Sequence, residues 1–141
     1  MNANDAMLTA VATAQTGSTV ADTAPNAPAS GSFDLVMEAV AGSALGSSGA
    51  PYTLTISAID LTTVSQPWPP QTLHQAFDPA SGWQLSGTCP DYQCTQTFPI
   101  AVPSGGPGGP LAGHALQFVA SLVSQGAQIA SIIHSHPFVL V

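Results

Sequence analysis

The pattern best suited to chemistry is His134-Ser135-His136. In an extended strand, residues two apart project from the same face, so both imidazoles are placed to reach one metal ion. A zinc site needs about four ligands, so His114, His74 or a carboxylate would have to complete the set. Pro137 follows at once and tends to end a strand, and paired histidines at a strand end more commonly serve as ordinary polar side chains. His134 and His136 are therefore the candidate metal ligands of a third-ranked reading, and no cofactor is assigned.

Cys89 and Cys94 are the only cysteines and flank the loop Cys-Pro-Asp-Tyr-Gln-Cys. That spacing permits a small disulfide closing a hairpin, provided the protein resides in an oxidising compartment. It is not the Cys-x-x-Cys spacing of redox pairs.

Aromatic side chains offer a different chemistry. Trp68, set among Pro67, Pro69 and Pro70, and Tyr92, at the tip of the cysteine loop, are the expected exposed pair. With Asp78, Asp91 and Gln93 as hydrogen-bonding neighbours, they form a candidate site for a sugar or another neutral ligand. The competing reading for any aromatic is core, which is the reading for Tyr52 and Phe98. Serine, histidine and aspartate all occur, yet no Gly-x-Ser-x-Gly elbow frames a serine, and the Ser104–Pro110 run SGGPGGP lacks the lysine of a phosphate-binding loop. The chain reads as non-enzymatic.

The elements that must position these residues read as strands. Phe33, Leu35, Met37 and Ala39 alternate with Asp34 and Glu38, and Tyr52, Leu54, Ile56 and Ala58 alternate with three hydroxyls. Trp83–Cys89 and Cys94–Val102 form a further pair, with Pro99 directing the second toward a sheet edge. Leu116–Leu122 alternates too, with helix as the competing assignment, and Ile129–Val141 supplies one or two strands bounded by Pro137. Gln66–Pro79 is too proline-rich for an inner strand and is assigned to a crossing loop. About seven short strands between Gly/Pro-rich turns predict an all-β, small antiparallel β-sandwich, immunoglobulin-like in outline but without the Cys, Trp, Cys signature. Residues 32–141 form this domain. Residues 1–31 form an Ala/Thr/Ser-rich arm, with Asn4 or Asp5 capping a short helix to Gln15 and Pro25 and Pro28 marking a linker.

Composition sets the limits on function. The 141 residues contain no Lys or Arg against seven Asp and Glu, a formal charge of -7. Nucleic-acid backbones and anionic membranes are held mainly by those missing cations, so neither is an expected partner. The hydroxyl-rich surface costs little to desolvate, which favours packing against further copies. The lack of tryptic sites suits an extracellular or particle-surface location. The first reading is thus a structural or assembly subunit, a homo-oligomer joined by the arm or by the apolar end Phe138–Val141 adding a strand to a neighbour. A carbohydrate or neutral-ligand module is the alternative.

Overall fold

Alternation decides most of the architecture, since a strand with one apolar face must bury it against a second layer. The computed structural model describes residues 2–22, 32–87, 91–102 and 109–139. Pro25, Pro28, Cys89, most of the glycine-rich loop and Leu140–Val141 lie outside that set, and with Cys89 goes the Cys89–Cys94 pairing. The strands are β1 (Ala6–Ala14), β2 (Ser32–Ala41), β3 (Pro51–Asp60), β4 (Gln71–Ala76), β5 (Gln84–Leu85), β6 (Tyr92–Ala101), β7 (Ala115–Ser124), β8 (Ile129–His134) and β9 (Phe138–Val139). They form two antiparallel sheets, one of order β1-β2-β6-β5 and one of order β4-β3-β7-β8, with β9 also paired to β7. The protein is an all-β antiparallel sandwich.

The inward rows are those the alternation marks. Phe33, Leu35, Met37 and Ala39 face Tyr52, Leu54, Ile56 and Ala58 and the β7 row Leu116, Phe118, Ala120 and Leu122. Aromatic rings gather at both ends. Tyr52, Phe77 and Trp83 cluster at one end, with centroids 4.7 to 6.2 Å apart. Phe33, Phe118 and Phe138 cluster at the other, where Phe118 and Phe138 stack at 5.4 Å.

Several expectations are corrected. Residues 6–14 are strand β1, paired along β2, rather than a helix in an appended arm. The register slips between Leu8 and Ala10, so Ala6 and Leu8, then Val11, turn inward. That β-bulge hides the two-residue period, and Ala/Thr composition then resembles a helix. The domain therefore begins well before residue 32. Asp34, expected to face solvent, is buried because the turn after β1 folds over it, with the Gly17 N–H donating to its Oδ2 at 2.7 Å. Part of the expected crossing loop, Gln71–Ala76, is strand β4, placed at a sheet edge where neighbouring prolines are tolerated. The expected Trp83–Cys89 strand shrinks to β5, which covers only Tyr92 and Gln93 of β6. Among the described residues Pro99 then lies where β6 has no second neighbouring strand.

The break at Pro137 is repaired by a side chain. Between β8 and β9 the ladder to β7 is carried by Ser135, whose N–H donates to the Phe118 carbonyl at 2.9 Å and whose Oγ accepts the Phe118 N–H at 2.9 Å. Ser135 is buried, so removing its oxygen strands the amide of Phe118 away from water. Ser135→Ala is expected to cost about 1–3 kcal/mol, read as a lowered urea midpoint, whereas Ser135→Thr retains most of the stability.

Candidate functional site

The end of β3 carries the strongest ionisable pair. Asp60 shares the parity of Tyr52, Leu54, Ile56 and Ala58, so the strand delivers a carboxylate to the interior, where it is 1% exposed. A buried carboxylate requires partners, and the loops supply them. His114 Nδ1 lies 2.7 Å from Oδ2, and the N–H groups of Thr62 and Thr63 donate to Oδ1 at 2.9 and 3.2 Å. The His114 hydrogen bond holds the Asp60 carboxyl down to about 2, and the Thr63 hydroxyl and the two loop amides reinforce it against the opposing effect of burial.

An Asp-His pair is two-thirds of a hydrolytic triad. The nearby hydroxyls of Thr63 and Ser65 bond to each other at 2.7 Å, and the Thr62 hydroxyl accepts from the Ala115 N–H. Among the described residues no hydroxyl is bonded to the outer nitrogen of His114, and the arrangement anchors the β3 end to the start of β7. The folded pKa of Asp60 lies below the unfolded value near 3.9, so the stabilisation is fully present above that value and is lost as pH falls through about 2. Asp60→Asn is expected to be less stable at pH 7 and to lose less stability than the parent between about pH 5 and pH 2. Urea titrations across that range check it, and parallel curves for the two proteins would contradict the assignment.

At the opposite end a polar network ties the sheets together. Trp83 Nε1 donates to Tyr52 Oη at 3.1 Å, and Tyr52 donates to Gln75 Oε1 at 2.8 Å. Gln96, from the other sheet, donates to Gln75 Oε1 and to the Ser81 carbonyl, both at 3.0 Å. Burial pushes the Tyr52 phenol up to about 12, so it remains a neutral donor. Cys94 is buried, its Sγ lies 3.5 Å from the Ser81 carbonyl, and burial raises the pKa of its thiol. Beside this network an open cleft of about 340 Å³ is lined by Thr53, His74, Gln75, Val123 and Gln125. Among the described residues its lining carries no carboxylate.

The expected ligand residues do not converge. Trp68 packs on Phe118 at 5.8 Å, at the Asp60 end of the sandwich. Tyr92 pairs with Ala41 at the other end and its ring lies flush on Gly46, where an added Cβ would sit 2.3 Å from the Tyr92 Cγ. Both rings are part-buried against the core. Asp78 is occupied in capping the turn Pro79–Ser81, accepting the Ser81 N–H at 2.8 Å. The Asp91 carbonyl accepts the Ser86 N–H at 2.9 Å. Gln93 is exposed and borders a polar groove of about 140 Å³ with Thr9, Glu38 and Thr95. Asp78, Asp91, Tyr92 and Gln93 thus share one end, and Trp68 is remote from them.

His134 and His136 are both exposed, flanking the buried Ser135. His134 ends β8 opposite Val119, while His136 borders a small cavity with Thr13 and Asp22. Among the described residues no group of three or more His, Cys, Asp or Glu could hold a metal ion. His114, the suggested third ligand, is engaged by Asp60, and His74 is on β4 at the far edge of the sheet.

The fold and these geometries define the class as a two-sheet β-sandwich. No family model matches the chain, and no curated protein matches it. Among solved structures it is similar to a glycosyl hydrolase family 2 member from Bacteroides cellulosilyticus DSM 14838, with 10% identity and a TM-score of 0.39, over 94% of this chain and 14% of that one. The chain thus spans about one-seventh of that protein's length.

Proposed function

We propose that this domain is a non-enzymatic structural subunit of an extracellular or surface-exposed assembly, and that it associates with further copies of itself. The observation that carries the reading is the outer face of the five-stranded sheet. Thr53, Thr55 and Ser57 of β3 stand beside Val119, Ser121 and Val123 of β7, with Ile132 of β8 exposed at 68%. Among the described residues no Asp, Glu, Lys or Arg interrupts these rows, and only His74 and His134 border them, so covering the face at neutral pH requires no desolvation of a carboxylate, ammonium or guanidinium. Hydroxyls and β-branched side chains are also compatible with a second protein layer.

Charge sets how such association responds to conditions. Each copy carries a formal charge of -7 and no Lys or Arg, so copies repel until salt screens them or protons are taken up as the pH falls. Native mass from light scattering is expected to rise with ionic strength and again on approach to the pI near 4.3. A mass falling with salt would contradict the reading. The carbohydrate alternative keeps only Asp78, Asp91, Tyr92 and Gln93 in one region. Tryptophan fluorescence that responds to a glycan panel would favour it.

A further inference from the structure

Proteins guard sheet edges with charge, proline, bulges or covering segments, because unpaired N–H and C=O groups template further strands. Three of the edges here are guarded. β1 carries the bulge at Leu8/Ala10 and its Leu8 N–H is taken by Ser131 Oγ of β8 at 3.0 Å, so β1 and β8 shield each other. β6 is covered at its start by β5 and interrupted further on by Pro99. β4, Gln-Thr-Leu-His-Gln-Ala, has no Asp, Glu, Lys or Arg, no proline and no bulge, and no strand of the described residues covers its outer side.

The open groups on β4 can be assigned. In the β3–β4 ladder Phe77 donates to the Ala50 carbonyl and accepts from Gly49, so by alternation Gln75, Leu73 and Gln71 turn their backbone groups toward β3. Ala76, Thr72 and His74 turn theirs outward. Ala76 is already used, its N–H by Ser81 Oγ at 3.3 Å and its carbonyl by the Asp78 N–H at 2.9 Å. Pro70, next in the outward series, has no N–H. The exposed window is therefore the N–H and C=O of Thr72 and of His74.

We infer that β4 pairs antiparallel with β4 of a second copy about a twofold axis at Leu73. This rests on the assembly reading above and names its partner and contact. Antiparallel pairing about Leu73 sets Thr72 opposite His74 of the other copy, and the two exchange both of their N–H···O=C bonds, as do the symmetry-related pair. Every open group in the window is then satisfied. The window is self-complementary, and pairing stops on either side, at Pro70 and at the occupied Ala76. The contact closes as a dimer rather than propagating. It fuses the five-stranded sheets of both copies into one continuous sheet whose outer face, among the described residues, carries no Asp, Glu, Lys or Arg.

The test uses the full chain. Sedimentation of the wild type over a wide concentration range is expected to show a monomer of 14.1 kDa passing to a dimer. Amide exchange at Thr72 and His74 should slow as the dimer fills. Thr72→Pro and His74→Pro each remove an outward N–H that the monomer does not use, which an edge strand tolerates. Either is expected to weaken dimerisation about tenfold or more, with circular dichroism confirming the fold. The wild-type exchange measurement decides the matter if both variants misfold. A wild type that associates while both variants associate equally, or while the Thr72 and His74 amides exchange at the same rate at every concentration, overturns the β4 contact alone. A wild type monomeric throughout overturns the contact and the assembly reading together.

Discussion

Trp83→Ala is expected to lower the stability of the domain by about 3–5 kcal/mol, the largest loss of any single substitution considered for it. Trp83 is 1% exposed, packs against Phe77 at 5.1 Å and edge-on to Tyr52 at 6.2 Å, and gives Tyr52 the hydrogen bond that starts the inter-sheet network. Truncating a buried tryptophan costs about 3–5 kcal/mol, against about 5–15 kcal/mol for the whole of a typical domain. The loss also leaves the Tyr52 oxygen short of a donor. Trp83→Phe keeps a six-membered ring against Phe77 but removes the Nε1–H together with part of the indole, so it is expected to cost less than Trp83→Ala while still losing the hydrogen bond to Tyr52. Urea unfolding followed by far-ultraviolet dichroism measures both. Near-equal midpoints for the two variants would mean that the network, rather than the packing, carries the stability.

Deleting residues 1–14 abolishes cooperative folding. The segment supplies β1, whose Ala6, Leu8, Val11 and Ala14 are buried, and which pairs with β2 from Ala41 back to Asp34. Its removal opens the inner end of β2 and uncovers part of the row Phe33, Leu35 and Met37. The chain before β1 is fitted just as closely. A Cβ placed on Gly42 would meet the Asn2 carbonyl oxygen at 2.1 Å, and the Ala3 carbonyl accepts from the amides of Ala44 and Leu45. Such a deletion is expected to give no thermal transition, whereas an appended arm would leave the melting temperature nearly unchanged.

Residue parity explains what the sequence disclosed and what it concealed. β2, β3 and β7 alternate without interruption, so their inward rows and the sandwich class follow from the two-residue period alone. β1 was hidden by one bulge residue that reverses the parity between Leu8 and Val11. β4 was hidden because a polar edge strand pairs through its backbone and needs no apolar row. The Asp60–His114 pair spans 54 residues, a separation that no local motif records. Its signal was nonetheless present, since Asp60 falls on the inward parity of β3 and a carboxylate there demands a donor. Gln96 likewise shares the parity of Cys94, Phe98 and Ile100. Trp68 and Tyr92, grouped on the basis of loop exposure, lie at opposite ends, because loop membership says nothing about which end of a sandwich a loop occupies. Of the apolar end Phe138–Val141, expected to add a strand to a neighbour, the described part Phe138–Val139 pairs with β7 of its own chain, as β1 does with β2.

The measurement that bears most directly on this account is the native mass of the full chain at neutral pH and physiological salt, by light scattering over a broad concentration range. The assembly reading predicts a mass that climbs from 14.1 kDa to at least twice that value. A constant 14.1 kDa at every concentration would contradict it.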